Sequence, residues 1–278
     1  MTIQIPIGDW AEVVIDWLTA TFSGVFNWIS AALRFLNTLL QDALTMPPFW
    51  VWIIVFVALA FWAKGWRLAL CALIGFLLIY GMGQWDNAMN TLALVLLASL
   101  VAVIVGVPTG ILAARSSTAS AIIRPILDFL QTMPAFVYLI PFVVIFSIGV
   151  VPGVVATIFF AIAPSVRFTE LGIRQVDGEV VEAAYAFGAS PRRVLFQVQL
   201  PLASKTIMAG VNQVIMLALS MTVIAGMVGA GGLGNDVVQA LQRVNISLGV
   251  EAGLAVVILA MYLDRVTAAF GGESSQTN

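Results

Sequence analysis

The stretch EAAYAFGASPRRVLFQVQLP, residues 182–201, is a polar, charged island in a chain that is otherwise mostly hydrocarbon. Its residue types suit turning and docking, not bond making. A helix over residues 180–187 should stop at Gly188, which fits a left-handed C-terminal cap. Ser190 followed by Pro191 reads as an N-cap with proline at the first helical position. A second helix is expected over residues 192–199, ending at Leu200-Pro201, where the proline opens a membrane span. The small Ala183, Ala184, Ala186 and Ala189 would let another protein's surface approach closely.

Little else in the chain could do chemistry. There is no histidine and a single cysteine, Cys71, so a Cys/His zinc site and an intrachain disulfide are excluded and no cofactor or metal is expected. Cys71, inside an apolar run, is expected to be a small buried residue. The run GAGGLG, residues 229–234, satisfies G-x-G-x-x-G, but it follows an apolar helix where a dinucleotide fingerprint needs a strand. It reads instead as a glycine turn where a gate helix ends. No P-loop occurs, so any ATP must be bound by another polypeptide. Arg124 and Asp128 stand four residues apart and read as a helix-end pair, with a part in ion coupling as the other reading. Asp264-Arg265 reads the same way. An intramembrane enzyme would need histidine or paired mid-span carboxylates, and neither is present. The net charge of -2 gives no footprint for nucleic acid.

The elements that position these residues follow from composition. Only 9% of residues are charged, against about 25% in soluble domains, so a water-facing surface cannot be built and the fold is a polytopic all-α membrane protein. Charge-free runs mark seven spans, at about 20 apolar residues each. They are 43–63, 68–85, 87–114, two within 129–166 joined at Gly149, Pro152 and Gly153, then 206–228 and 247–263. Residues 1–45 form an amphipathic region with Asp9, Glu12 and Asp16 on one face and Trp10, Val13, Val14, Trp17 and Leu18 on the other. It lies on the membrane surface or packs on the protein's own rim. With these early acids and no basic stretch before an apolar core, the N-terminus does not resemble a cleaved signal. Residues 46–85 hold two peripheral spans, 86–270 a core with a cytoplasmic loop at 176–201, and 271–278 a polar tail.

With the polar island in the cytoplasm, Lys64, Arg67, Arg115, Arg124, Arg167, Arg174, Arg192, Arg193, Lys205 and Arg265 are all cytoplasmic, leaving only Arg34 and Arg243 outside. That bias places the N-terminus outside and the C-terminus in the cytoplasm. Trp50, Trp52 and Trp85 then fall at outer ends of spans and Trp62 and Trp66 at inner ends, as interfacial belts. Pro134 and Pro141 interrupt the fourth span, which could line a path that opens and closes or be an ordinary kinked helix. Gln131, Met133, Phe136, Ser220, Met221 and Thr222 are the candidate pathway residues.

Glu182-Ala183-Ala184, Gly188 and Val198-x-Leu200-Pro201 match the EAA-x3-G-x9-I-x-LP loop of ABC importer permeases, with Val198 for the usual isoleucine. Residues 87–270, including FGASPRRVLFQVQLPLASKTIMAGVNQVIMLALSMTVIAGMVGAGGLG and ILAMYLDR, resemble the glycine betaine, proline betaine, choline and carnitine permeases. The resemblance implies a type I importer permease fold and a coupling loop whose docking and turn residues are Glu182, Ala183, Ala184, Gly188, Ser190, Arg192, Leu200 and Pro201. It also implies a cytoplasmic ABC ATPase dimer, a separate extracytoplasmic substrate-binding protein and a second permease copy, in a bacterial inner membrane. The cargo would be glycine betaine, proline betaine, choline or a related methylated amine such as trimethylamine N-oxide. Tryptophan faces hold quaternary ammonium groups best, and residues 87–268 have none, so tight selection falls to the binding protein. An ion-coupled secondary transporter of small amines is the alternative; it would need mid-depth ionisable residues and internal repeats.

Overall fold

The computed structural model describes residues 6–271, which are helical with no strand among them. The amphipathic region is two helices, α1 (Ile7–Thr21) and α2 (Ser23–Thr45). Trp10, Val13, Val14 and Trp17 on α1 stay exposed, whereas α2 lays Leu33 and Leu40 against the core and buries Asn37 and Leu44. The prolines at 47 and 48 cannot donate to a helix and restrict the residues before them. The chain therefore turns by 96° before α3 (Phe49–Lys64). The bend falls inside the run expected to form the first span, so residues 43–45 belong to α2 and residues 49–63 to α3.

A turn at Gly65, with φ of 79°, leads into α4 (Trp66–Gly81), and α5 (Trp85–Arg115) follows. The expected fourth span is broken into α6 (Ser117–Thr132) and α7 (Ala135–Phe146), bent by 99°. Pro134 is the cause: it holds Met133 extended, at ψ 132°. Pro141, by contrast, stays inside α7. Helix α8 (Val150–Arg174) starts after Gly149 as expected, with Pro152 and Gly153 in its first turn. The short α9 (Gly178–Ala186) precedes α10 (Pro191–Val228), α11 (Gly232–Arg243) and α12 (Ile246–Phe270).

Pairs of distant residues show how the passes alternate. At one end Phe49 stacks on Tyr80 at 3.8 Å and the Gly149 N–H donates to Val228 O at 2.8 Å. At the other, Trp62 meets Phe270 at 5.3 Å. The chain so passes between the two ends through α3, α4, α5, α6–α7, α8, α10 and α12. Four passes (α5, α8, α10 and α12) are single helices long and apolar enough to cross a membrane. The bent pairs α2–α3 and α6–α7 bring the number to as many as six, and α4 is apolar but only 16 residues long.

Helix α8 is the centre of the bundle, between α5 and α10. Small residues let the backbones approach, as is general for membrane helices. A Cβ on Gly110 of α5 would lie 2.6 Å from Val166 O of α8, and one on Gly210 of α10 would lie 2.6 Å from Phe168 Cβ. The α3–α4 pair is fastened to α12 by aromatic rings: Phe56 on Phe76 at 4.7 Å, Phe76 on Tyr262 at 5.0 Å, and the Tyr262 hydroxyl donating to Phe56 O at 3.1 Å. Trp85 belongs to this core and not to an interfacial belt; Phe49 and Phe76 cover it. Cys71 is exposed rather than buried, because α4 presents that side outward.

Candidate coupling hairpin and translocation face

The hairpin is built by caps. Asp177 accepts a hydrogen bond from Glu179 N–H at 2.9 Å and starts α9. At the far end the Ala189 N–H donates to Ala184 O at 3.0 Å and the Gly188 N–H to Tyr185 O at 2.9 Å. These are the two bonds of a Schellman motif, with Gly188 at φ 82° as its left-handed residue. The Ser190 hydroxyl faces the Arg193 N–H at 3.5 Å, and Pro191 opens α10.

Helix α10 does not stop at Leu200-Pro201. It continues through the proline because residues 194–199 widen into a π-turn, with the Leu200 N–H donating to Leu195 O. Proline lacks its own donor and crowds the carbonyl four residues back, here Gln197; the wider turn accommodates both defects. One rigid rod therefore joins the hairpin to the membrane span. Val194 and Leu195 are buried, and Leu195 packs with Ile173 of α8, which seats the rod on that helix.

No residue of α9 is buried. Glu182, Ala183, Arg192 and Pro201 are exposed, and Ala184 and Leu200 are half-buried. At the tip Phe187 is 92% exposed and, farther along, Phe196 is 62% exposed. Bulky exposed rings on a polar loop make Phe187 and Phe196 candidates for a contact surface. Phe187 is absent from the expected docking residues; an aromatic immediately before the glycine turn was the available signal.

Below the hairpin sits a charged node not foreseen from spacing. Glu170 of α8, only 4% exposed, accepts from Ser120 Oγ at 2.7 Å and Arg124 Nη2 at 2.9 Å, both on α6. Arg174 Nε lies 3.0 Å from the same carboxylate and its Nη2 donates to Ala113 O of α5 at 2.9 Å. Arg124 therefore does not pair with Asp128; Asp128 pairs with Arg167 across to α8. Packing of α6 on α8 offers both residues partners better placed than their own helix neighbours. Asp264 keeps Arg265 at 3.8 Å and also accepts from Asn212 at 2.9 Å.

The candidate pathway residues divide into two sets. Met221 is buried with Tyr138, Leu139 and Ala156, and Met133 packs on that cluster, so the α6–α7 elbow rests on α10 here. Thr222 is buried too and donates to Leu219 O at 2.7 Å. Gln131, Phe136 and Ser220 are exposed. At the end opposite the hairpin, Gly229, Gly231 and Gly232 all have positive φ and fold α11 back across α10. Helices flank this turn on both sides, so it is no nucleotide fingerprint. Thr91 Oγ1 accepts from Leu233 N–H at 2.8 Å and Asn87 donates to Asp236 at 2.7 Å, tying α11 to α5.

Fold and site together define a helical transport subunit of a membrane, with an exposed capped hairpin at one end. The chain belongs to the family of binding-protein-dependent transport system inner membrane components, whose pattern matches residues 106–271. It is 50% identical over 264 residues to the glycine betaine transport system permease protein OpuAB of Bacillus subtilis, covering 95% of this chain and 94% of that one. To the glycine betaine/proline betaine transport system permease protein ProW of Escherichia coli it is 48% identical, over 97% of this chain and 76% of that one. The trimethylamine N-oxide transport system permease protein TmoV of Ruegeria pomeroyi is more distant, at 40% identity over 76% of this chain and 32% of its own. A chain of the inward-facing MetNI methionine ABC transporter matches with a TM-score of 0.61 at 22% identity, over 69% of this chain and 96% of that one, a likeness of fold. The protein is thus a non-catalytic ABC importer permease of the inner membrane, working with a binding protein and a partner ATPase.

Proposed function

We propose that this permease carries glycine betaine, and with it proline betaine or a similar methylated amine, across the membrane in an ATP-driven importer. The observation that supports the cargo is the 50% identity to a glycine betaine permease over nearly the whole of both chains. Identity is lower, at 40%, to a trimethylamine N-oxide permease and, at 31%, to a choline permease. Two copies form the pathway, and each seats its α9–α10 hairpin on one ATPase subunit. Glu182, Ala183 and Ala184 form the contact face with Phe187 as the tip; Gly188 and Ser190 set the turn, Arg192 flanks it, and Leu200-Pro201 carries movement into the span. ATP-driven closure of the ATPase pair moves the two hairpins and switches the pathway from inward- to outward-facing. Gln131, Phe136 and Ser220 line that pathway, with Met133, Met221 and Thr222 packed behind them.

The hairpin end faces the cytoplasm, so the N-terminus is outside and the C-terminus inside. Support comes from the ten basic residues that the chain's alternation assigns to that end, against Arg34 and Arg243 elsewhere. Helix α1 lies at the outer membrane surface, where its exposed tryptophans suit an interfacial helix, and α2 packs on the core.

Uptake of labelled glycine betaine into vesicles holding the permease with its ATPase tests the reading. Accumulation should require both ATP and the binding protein. Uptake driven by an ion gradient without ATP would replace the importer reading with a secondary transporter.

A further inference from the structure

A groove of about 530 Å³ opens between α4 and α12 at the hairpin end, with Lys64 of α3, Arg67 of α4 and Arg265 of α12 around its mouth. Its floor is hydrocarbon, including Cys71, Gly75 and Met261. Neither Lys64 nor Arg67 makes an ion pair with any described residue, and Arg265 reaches Asp264 only at 3.8 Å. No carboxylate is among the described residues that line the groove, and Asp264, next to Arg265, is shared with Asn212. Trp62 and Trp66, 71% and 65% exposed, stand beside Lys64 and Arg67 in the chain, and the Arg67 guanidinium lies 5.9 Å from the Trp66 ring. Exposed tryptophans sit at the headgroup level, which sets the cations at that level and the floor in the acyl region. Three cations over an apolar cleft are complementary to one molecule that is anionic at its head and hydrocarbon below.

We propose that this groove is a binding site for an anionic phospholipid of the leaflet on the hairpin side. The phosphate lies between Lys64, Arg67 and Arg265, and one acyl chain runs past Cys71 and Met261 toward Gly75. Basic pockets between membrane helices commonly select such headgroups. The close approach of α4 to α12 defines the floor, since a Cβ on Gly75 would lie 2.8 Å from Ile258 Cγ2. A lipid seated there would bridge the peripheral α3–α4 pair to α12 beyond the contact their aromatic rings already make.

Cys71 is the chain's only cysteine and an exposed part of the groove, so it reports occupancy directly. The permease, purified with its partner subunits and delipidated in detergent, is treated with a maleimide, and modification of Cys71 is followed by peptide mass. Phosphatidylglycerol should slow modification several-fold, while phosphatidylcholine and inorganic phosphate should not. In the triple variant K64Q/R67Q/R265Q the lipid concentration needed for protection should rise about tenfold or more. Equal protection by phosphatidylcholine overturns the proposal in favour of a non-selective apolar cleft. Protection by inorganic phosphate alone overturns it in favour of a bare anion site. Protection unchanged in the triple variant overturns the assignment of the headgroup. Should that variant fail to assemble, the comparison of the three additives on the wild-type chain decides the matter unaided.

Discussion

Gly188 is the residue on which the hairpin turns. Its φ of 82° belongs to the left-handed region, and nothing lies within 4 Å of the position a Cβ would take. Any penalty on substitution therefore comes from backbone conformation, about 1–2 kcal/mol for an ordinary residue, and from the proposed docking contact. Gly188→Asp should insert normally and abolish ATP-driven uptake, its charge being pushed into the docking surface. Gly188→Asn, neutral and tolerant of left-handed φ, should keep a substantial part of transport. Equal uptake by the Asp variant and the wild type, measured in the same vesicles, would remove Gly188 from the coupling contact. This turn was legible beforehand because caps are local: a glycine stop and a Ser-Pro start need only their own neighbours. Glu170 was legible only in part, through Arg174 four residues on. Its partners Ser120 and Arg124 lie on a different helix, and no spacing rule along one helix reaches them.

At the scale of elements, prolines acted in two ways that their sequence positions do not distinguish. Pro134 ends α6 and swings α7 through 99°, whereas Pro201 is absorbed by a π-turn and leaves α10 continuous. The difference lies in packing. The buried Leu195, packed on Ile173, holds the rod on α8 across the defect, while the Met133 elbow leans on the Met221 cluster. Helix α11 depends on a similar close fit. A Cβ on Gly234 would lie 2.1 Å from Thr222 O, a backbone atom that cannot move aside cheaply. Gly234→Ala should therefore shift α11 off the end of α10 and destabilise the protein by about 1–3 kcal/mol, as overpacking does. Thermal unfolding of the purified permease complex checks this; an unchanged midpoint would mean that α11 is not seated as described.

For the molecule as a whole, the proposed orientation has a direct test that uses the lone native cysteine's removal. In a Cys71→Ser background, Glu179→Cys at the hairpin should resist a membrane-impermeant maleimide added to intact spheroplasts. Ile246→Cys, exposed at the opposite end of the bundle, should react. The reverse pattern would invert the topology. The sequence by itself determined the membrane class, the alternation of the passes, the capped hairpin and the family that the hairpin's motif points to. Each of these rests on composition or on contacts within a few residues, which a linear pattern carries. Only the tertiary structure decided that Trp85 is core, that Cys71 is open, that Arg124 serves Glu170, and that Pro201 leaves its helix whole. Those outcomes depend on which face of a helix its neighbours cover, and helices hydrophobic on every side leave no periodic trace of that choice.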